Sequence, residues 1–166
     1  MLLNRVVLNS VNVLLIMFAL YLFSYYFDMF FTKKKKKIIL VTGYSIFIMW
    51  QLILLNANIL PVYINISITI VITFISAMLV YEGGSWNKCI FTLAFNAIWM
   101  MIETVSGYVL SIFCNRFIHS QAYEIFGSVI SKLLFLLLIF ALKKVFLADG
   151  ITEFSVKYSI MLILIP

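Results

Sequence analysis

Residues 38–81 form a run of 44 positions without one Asp, Glu, Lys, Arg or His. A helix needs about 20 predominantly apolar residues to cross the hydrocarbon core of a bilayer. The run is therefore long enough for two crossings and must turn near its middle. Asn56, Asn58 and Pro61 supply the turn, because Asn favours turns and Pro ends a helix. The rest of the chain agrees. Of 166 residues, 65% are hydrophobic and 11% charged, with a mean hydropathy of +1.15. A soluble domain carries roughly 45–50% apolar and about 25% charged residues. This excludes an ordinary soluble enzyme domain, a disordered tail and a collagen-like fibre. With Pro 2 and Gly 6, a low-complexity linker is excluded too.

The expected fold class is all-α, a polytopic transmembrane helix bundle forming a single membrane domain over residues 1–166. Five complete spans are placed at about residues 6–31, 38–55, 62–81, 89–113 and 125–142. The first apolar run, residues 6–27, has 22 uncharged positions. It exceeds the roughly 7–15 residues of a signal-peptide apolar region, so it is read as a retained span. A last apolar stretch at about 155–166 is a dozen residues, broken by Lys157 and ending on Pro166. A half-crossed helix leaves backbone groups unsatisfied in lipid. It is read as the start of a sixth helix, which the chain ends within.

The net charge of +6 does not point to nucleic acid. Five of the twelve basic residues form one run, Lys33, Lys34, Lys35, Lys36 and Lys37, between long apolar stretches. A basic cluster beside a span marks topology and attracts anionic lipid. Lys33 to Lys37, Lys88, Lys143 and Lys144 fall on one side, eight in all, against Arg5 and Arg116 on the other. Lysine-rich loops stay in the cytoplasm, which puts the N-terminus outside. Asp28 is the expected partner of the lysine run. Tyr25, Tyr26, Tyr63, Tyr81, Trp86 and Tyr123 fall near the expected interfaces.

Cys89 and Cys114 lie 25 residues apart near the ends of one expected helix. That is roughly 37 Å, far beyond the ~7 Å a disulfide allows. His119 has no partner at ligand spacing, so no metal site is expected. Gly83-Gly84-Ser85 lacks the strand and the Lys of a phosphate loop. No cofactor and no catalytic residue is expected.

Polar residues gather on two helical faces: Asn65, Thr69, Thr73 and Ser76 in span three, and Thr92, Asn96, Trp99, Glu103, Ser106 and Gly107 in span four. Such stripes are where membrane helices pack, or where a pathway runs. Glu103 and Lys132 are the sharpest feature. They sit on sequential antiparallel spans at similar mid-membrane depth, where one charge costs at least about 2.5–3.5 kcal/mol. An intramembrane ion pair between them is expected.

Taken together, these features resemble the N-terminal membrane sensor region of Gram-positive peptide-pheromone receptor histidine kinases, whose kinase half is of the GHKL type. The resemblance rests on Tyr81-Glu82-Gly83-Gly84-Ser85-Trp86-Asn87-Lys88 opening a long fourth span, and on Ile102-Glu103 within it. It rests further on Ser131-Lys132-Leu133 in a fifth run that ends in Lys143-Lys144, and on the closing Leu162-Ile163-Leu164-Ile165-Pro166. It implies a homodimer in the bacterial plasma membrane that binds an extracellular peptide and moves a helix toward a cytoplasmic kinase. The implied ligand contacts are Asn4, Arg5, Asn56, Asn58, Tyr63, Arg116, His119 and Tyr123. The phosphoacceptor His and ATP-binding boxes of such kinases are absent from this chain, so it carries no kinase activity by itself. The competing readings are a small substrate-binding membrane subunit working with an ATPase, and a membrane scaffold protein.

Overall fold

The computed structural model describes residues 2–56, 61–113 and 121–148. They form five α-helices: α1 Leu2–Phe27, α2 Lys37–Asn56, α3 Val62–Val80, α4 Ser85–Phe113 and α5 Gln121–Ala148. The shortest, α3, has 19 residues, about 28 Å at 1.5 Å per residue. Each helix contains a stretch long and apolar enough to cross a membrane. The protein is a multi-pass membrane protein. The stretch at 155–166, read as a sixth helix, lies outside the described residues.

Short connections make sequential helices antiparallel, and each packs on its chain neighbours. α5 also packs on α1, which closes the five helices into a ring. Inside the ring, toward the end that carries the lysine run, aromatic side chains form a plug. Phe23 of α1 lies 4.7 Å from Phe47 of α2 and 6.0 Å from Phe95 of α4, centroid to centroid. Phe95 in turn meets Phe135 of α5 edge-on at 5.3 Å. Such offset and edge geometries suit the ring quadrupoles.

Between α2 and α3 the contact is closer than side chains allow. A Cβ on Gly43 would stand 2.6 Å from Val80 Cγ2 and 3.1 Å from Leu79 Cβ. A glycine is needed there for the backbones to approach, as small residues do between membrane helices.

The lysine-rich end is locked by polar contacts to main chain. The last carbonyls of a helix have no partner within it and carry partial negative charge. Lys34 Nζ donates to the Met78 carbonyl of α3 at 2.7 Å, and Lys88 Nζ donates to the Tyr81 carbonyl at 2.8 Å. The two connections also pair backbone to backbone, Lys34 N–H to Val80 O and Glu82 N–H to Thr32 O. Gly83 turns the chain into α4 at φ 108°, a left-handed conformation that favours glycine. Lys33 pairs with Asp28 at 2.8 Å, as the sequence led us to expect. Partial burial pulls the Lys33 ammonium down; the hydrogen bond to Asp28, with Tyr44 and the Asp28 charge, outweighs it and leaves the group above its ordinary value.

The bounds of α1, α4 and α5 and two side chains differ from the sequence reading. α1 ends at Phe27 rather than 31, because residues 28–30 turn toward the lysine run. α4 begins at Ser85 rather than 89, so Lys88 belongs to its first turn and is buried. α5 continues through Lys143 and Lys144 to Ala148. Tyr26 and Tyr81, expected at the lipid interface, are fully buried. The Tyr26 hydroxyl reaches the Phe91 carbonyl, and the Tyr81 hydroxyl lies 2.9 Å from Asp28 Oδ1 and 3.2 Å from the Ser24 carbonyl. Tyr63 and Trp86 are exposed, as an interfacial aromatic should be.

Candidate functional site

Above the aromatic plug, away from the lysine-rich end, the ring surrounds a half-open cavity of about 380 Å³. All five helices line it. α1 gives Leu15 and Ile16; α2 gives Phe47, Gln51 and Leu54; α5 gives Ser128 and Lys132. α3 contributes Asn65, Thr69 and Thr73 beside Ile66 and Ile70, and α4 contributes Phe95, Asn96, Trp99, Met100 and Glu103. The two polar stripes seen in the sequence thus face each other across one space. Ser76 and Thr92 are instead sealed in helix packing, and Ser106 and Gly107 lie beyond this space.

Most hydroxyls in the stripes are spent on their own helices. Thr69 Oγ1 donates to Asn65 O at 2.7 Å, and Thr73 Oγ1 donates to Thr69 O at 2.7 Å. Trp50 Nε1 of α2 donates to Thr69 Oγ1 at 3.0 Å, which ties α2 to α3 beside the cavity. Asn96 Nδ2 donates to Thr92 O at 2.9 Å. By contrast, Asn65 Oδ1, Ser76 Oγ and Thr92 Oγ1 are buried and have no hydrogen-bond partner among the described residues. Asn65 is the one of these three that lines the cavity.

Glu103 and Lys132 line the same space with no ion pair within 4.0 Å between them. Lys132 is only 8% exposed. Its ammonium donates to Ser128 Oγ, one turn back on α5, at 2.7 Å. It also lies 5.5 Å from the centroid of the Trp99 ring, within cation–π range. Glu103 Oε1 accepts the Trp99 indole N–H at 2.7 Å. Among the described residues the only ion pair within 4.0 Å is Lys33–Asp28. The direct Glu103–Lys132 pair is therefore replaced by a relay, carboxylate to indole N–H and indole face to ammonium. The physical reason is that Trp99 precedes Glu103 by one helical turn and so shares its face. Its indole offers a donor to the acid and a π face to the base. Glu103 and Ser128 also line a second groove of about 310 Å³ between α4 and α5, with Ser106, Gly107, Gly127 and Ser131.

The remaining expected ligand contacts are not gathered at this cavity. Tyr63 is 83% exposed and does not line it. Asn58, Arg116 and His119 lie outside the described residues. Asn4, Arg5, Asn56 and Tyr123 are described as helical backbone only. Cys89 is a free thiol, and Cys114 lies outside the described residues. Sequence reasoning missed Gln51, Ser128, Lys34 and Lys88. The spacing of Ser128 and Lys132, i and i+4 on one helix, was the available signal for the first contact of the lysine. Gln51 is a lone amide in a charge-free span, and that rarity was its signal. No known protein family, curated protein or solved structure matches this chain.

Proposed function

We propose that this chain is the membrane-embedded receptor region of a sensor of the peptide-pheromone histidine kinase type, and that the five-helix cavity is where an outside signal is read. One observation carries the reading: one cavity, largely apolar with a few polar groups on α2 to α5, touches every helix of the ring. An occupant there bears on all five helices at once. The lysine-rich end is taken as cytoplasmic by the positive-inside rule, so the N-terminus and the cavity end face outward.

A route from cavity to cytoplasm follows from the contacts. α3 carries Asn65, Thr69 and Thr73 along the cavity, and its far end is gripped by Lys34 and Lys88. A ligand that shifts or twists α3 strains that grip. A receptor needs such a two-state element, which both the ligand and the output can bias. Kinase coupling belongs to the proposal, since the kinase machinery is not in this chain.

The volume of the cavity also favours a second reading. About 380 Å³ lies in the range of small-molecule sites, which suits a substrate-binding subunit of a transporter. The two readings separate on whether filling the cavity is felt at the lysine-rich end. The test uses Thr69→Cys in a background lacking Cys89 and Cys114, reconstituted in nanodiscs and alkylated with benzyl methanethiosulfonate as a fixed occupant. Hydrogen exchange is then read over residues 28–37 and 81–88. The receptor reading expects changed protection in both segments. Change confined to the cavity lining contradicts it and favours the transport reading.

A further inference from the structure

The hydrogen-bonding capacity left unused in the cavity has a definite pattern. An ammonium has three donors, and among the described residues Lys132 uses one, on Ser128 Oγ. A carboxylate has two acceptor oxygens, and Glu103 has a described partner on Oε1 only. Asn65 Oδ1 is a buried acceptor with no described partner. Donors are thus open on α5, and acceptors are open on α3 and α4. The Trp99 indole stands between the two charges, so neither satisfies the other directly.

We propose that the cavity binds a small zwitterion with an apolar body, its carboxylate on Lys132 and its ammonium on Glu103 and Asn65. This deepens the receptor reading by naming the class of ligand, a molecule smaller than the peptide that the resemblance implies, and it rests on that reading only in taking the cavity as the ligand site. A ligand with one charge would satisfy one wall and leave the charge on the other wall without a partner. A ligand with both charges meets both walls. Phe47, Phe95, Ile66 and Ile70 offer apolar surface to its body. A volume of about 380 Å³ admits a free amino acid or a dipeptide and excludes a whole folded peptide.

The test uses the full chain in nanodiscs, with both faces open to solution. The probes are tritiated L-leucine, L-phenylalanine and the dipeptide made from them. The competitors are isocaproate, which keeps the carboxylate alone, and isoamylamine, which keeps the ammonium alone. Saturable binding of at least one probe is expected, with each competitor weaker by about tenfold or more, the effect of losing one charge-assisted hydrogen bond. Lys132→Met and Glu103→Gln should each weaken binding by a similar factor, and Lys35→Met should not. The competition arm needs no variant, so misfolding of a cavity mutant does not obscure the answer. No saturable binding of any probe at millimolar concentration would overturn the proposal. So would isocaproate or isoamylamine binding as tightly as L-leucine, although that result would leave the cavity standing as a ligand site. Leucine binding that leaves the lysine-rich end unchanged in hydrogen exchange contradicts the receptor reading and supports the zwitterion site.

Discussion

Trp99 holds Glu103 one helical turn away through a 2.7 Å hydrogen bond from its indole nitrogen. The same ring presents its face to the Lys132 ammonium. An acid and a base lining one cavity are thus bridged by an aromatic ring instead of a direct contact. Trp99→Phe keeps a ring over the lysine and removes the donor to the acid. A hydrogen bond to a charged group is worth about 1.5–3 kcal/mol. We expect Trp99→Phe to lower stability by about that much, and Glu103→Gln added to it to restore part of the loss. Thermal unfolding of the single and double variants in the same nanodiscs checks this; strictly additive losses would show that the bond carries no coupling.

The relay also predicts how the two charges respond to each other. Lys132→Met alone removes the positive charge that lines the cavity with Glu103. Glu103→Gln removes the negative charge and keeps an acceptor for the indole. The double variant should be more stable than the sum of the single losses by about 0.5–1.5 kcal/mol, at the low end for contacting residues because no direct ion pair exists. A double-mutant cycle measures it. A coupling of several kcal/mol would mean that the charges touch directly.

Gly43 sets the spacing of α2 and α3. A methyl there would meet Val80 Cγ2 at 2.6 Å and the Ser76 carbonyl oxygen at 3.3 Å. Overpacking costs about 1–3 kcal/mol. Gly43→Ala should fall in that range, and Val80→Ala should recover part of it by removing the nearer atom. Melting of the three variants decides; a neutral Gly43→Ala would mean that the helices separate at little cost.

The lysines of the polar end are not equivalent. Lys34 and Lys88 donate to the carbonyls of Met78 and Tyr81, while Lys35 and Lys36 are exposed. Lys34→Met and Lys88→Met should each cost about 1–2 kcal/mol, as charge-assisted bonds to a helix end do. Lys35→Met and Lys36→Met should stay within about 0.5 kcal/mol. Equal effects at all four positions would reduce the run to bulk charge.

Helices and spans were legible in the sequence because lipid leaves the backbone few choices. A charge-free run of known length with Asn56 and Pro61 in the middle has to be two helices. That Glu103 and Lys132 reach one space was legible for the same reason, since a similar height in the bundle follows from counting residues along antiparallel spans. Their partners were not. Depth fixes only the height of a side chain, and Trp99 and Ser128 capture the two charges first because each lies one turn away on the same helix. The clamp was hidden because Lys34 and Lys88 bind main-chain carbonyls, which every residue carries and no side-chain pattern reveals. Tyr26 and Tyr81 read as interfacial from their positions. Burial of their rings in the plug, with the Phe91 carbonyl for Tyr26 and the Asp28 carboxylate for Tyr81, overrides that preference.

The most direct measurement is thiol labelling in intact cells with a membrane-impermeant maleimide, on Asn65→Cys and Lys35→Cys in a background without Cys89 and Cys114. An outward-facing cavity above a cytoplasmic lysine clamp predicts that Asn65→Cys is labelled at once and Lys35→Cys only after permeabilisation. Prompt labelling of Lys35→Cys, with Asn65→Cys reached only from the inside, would contradict it.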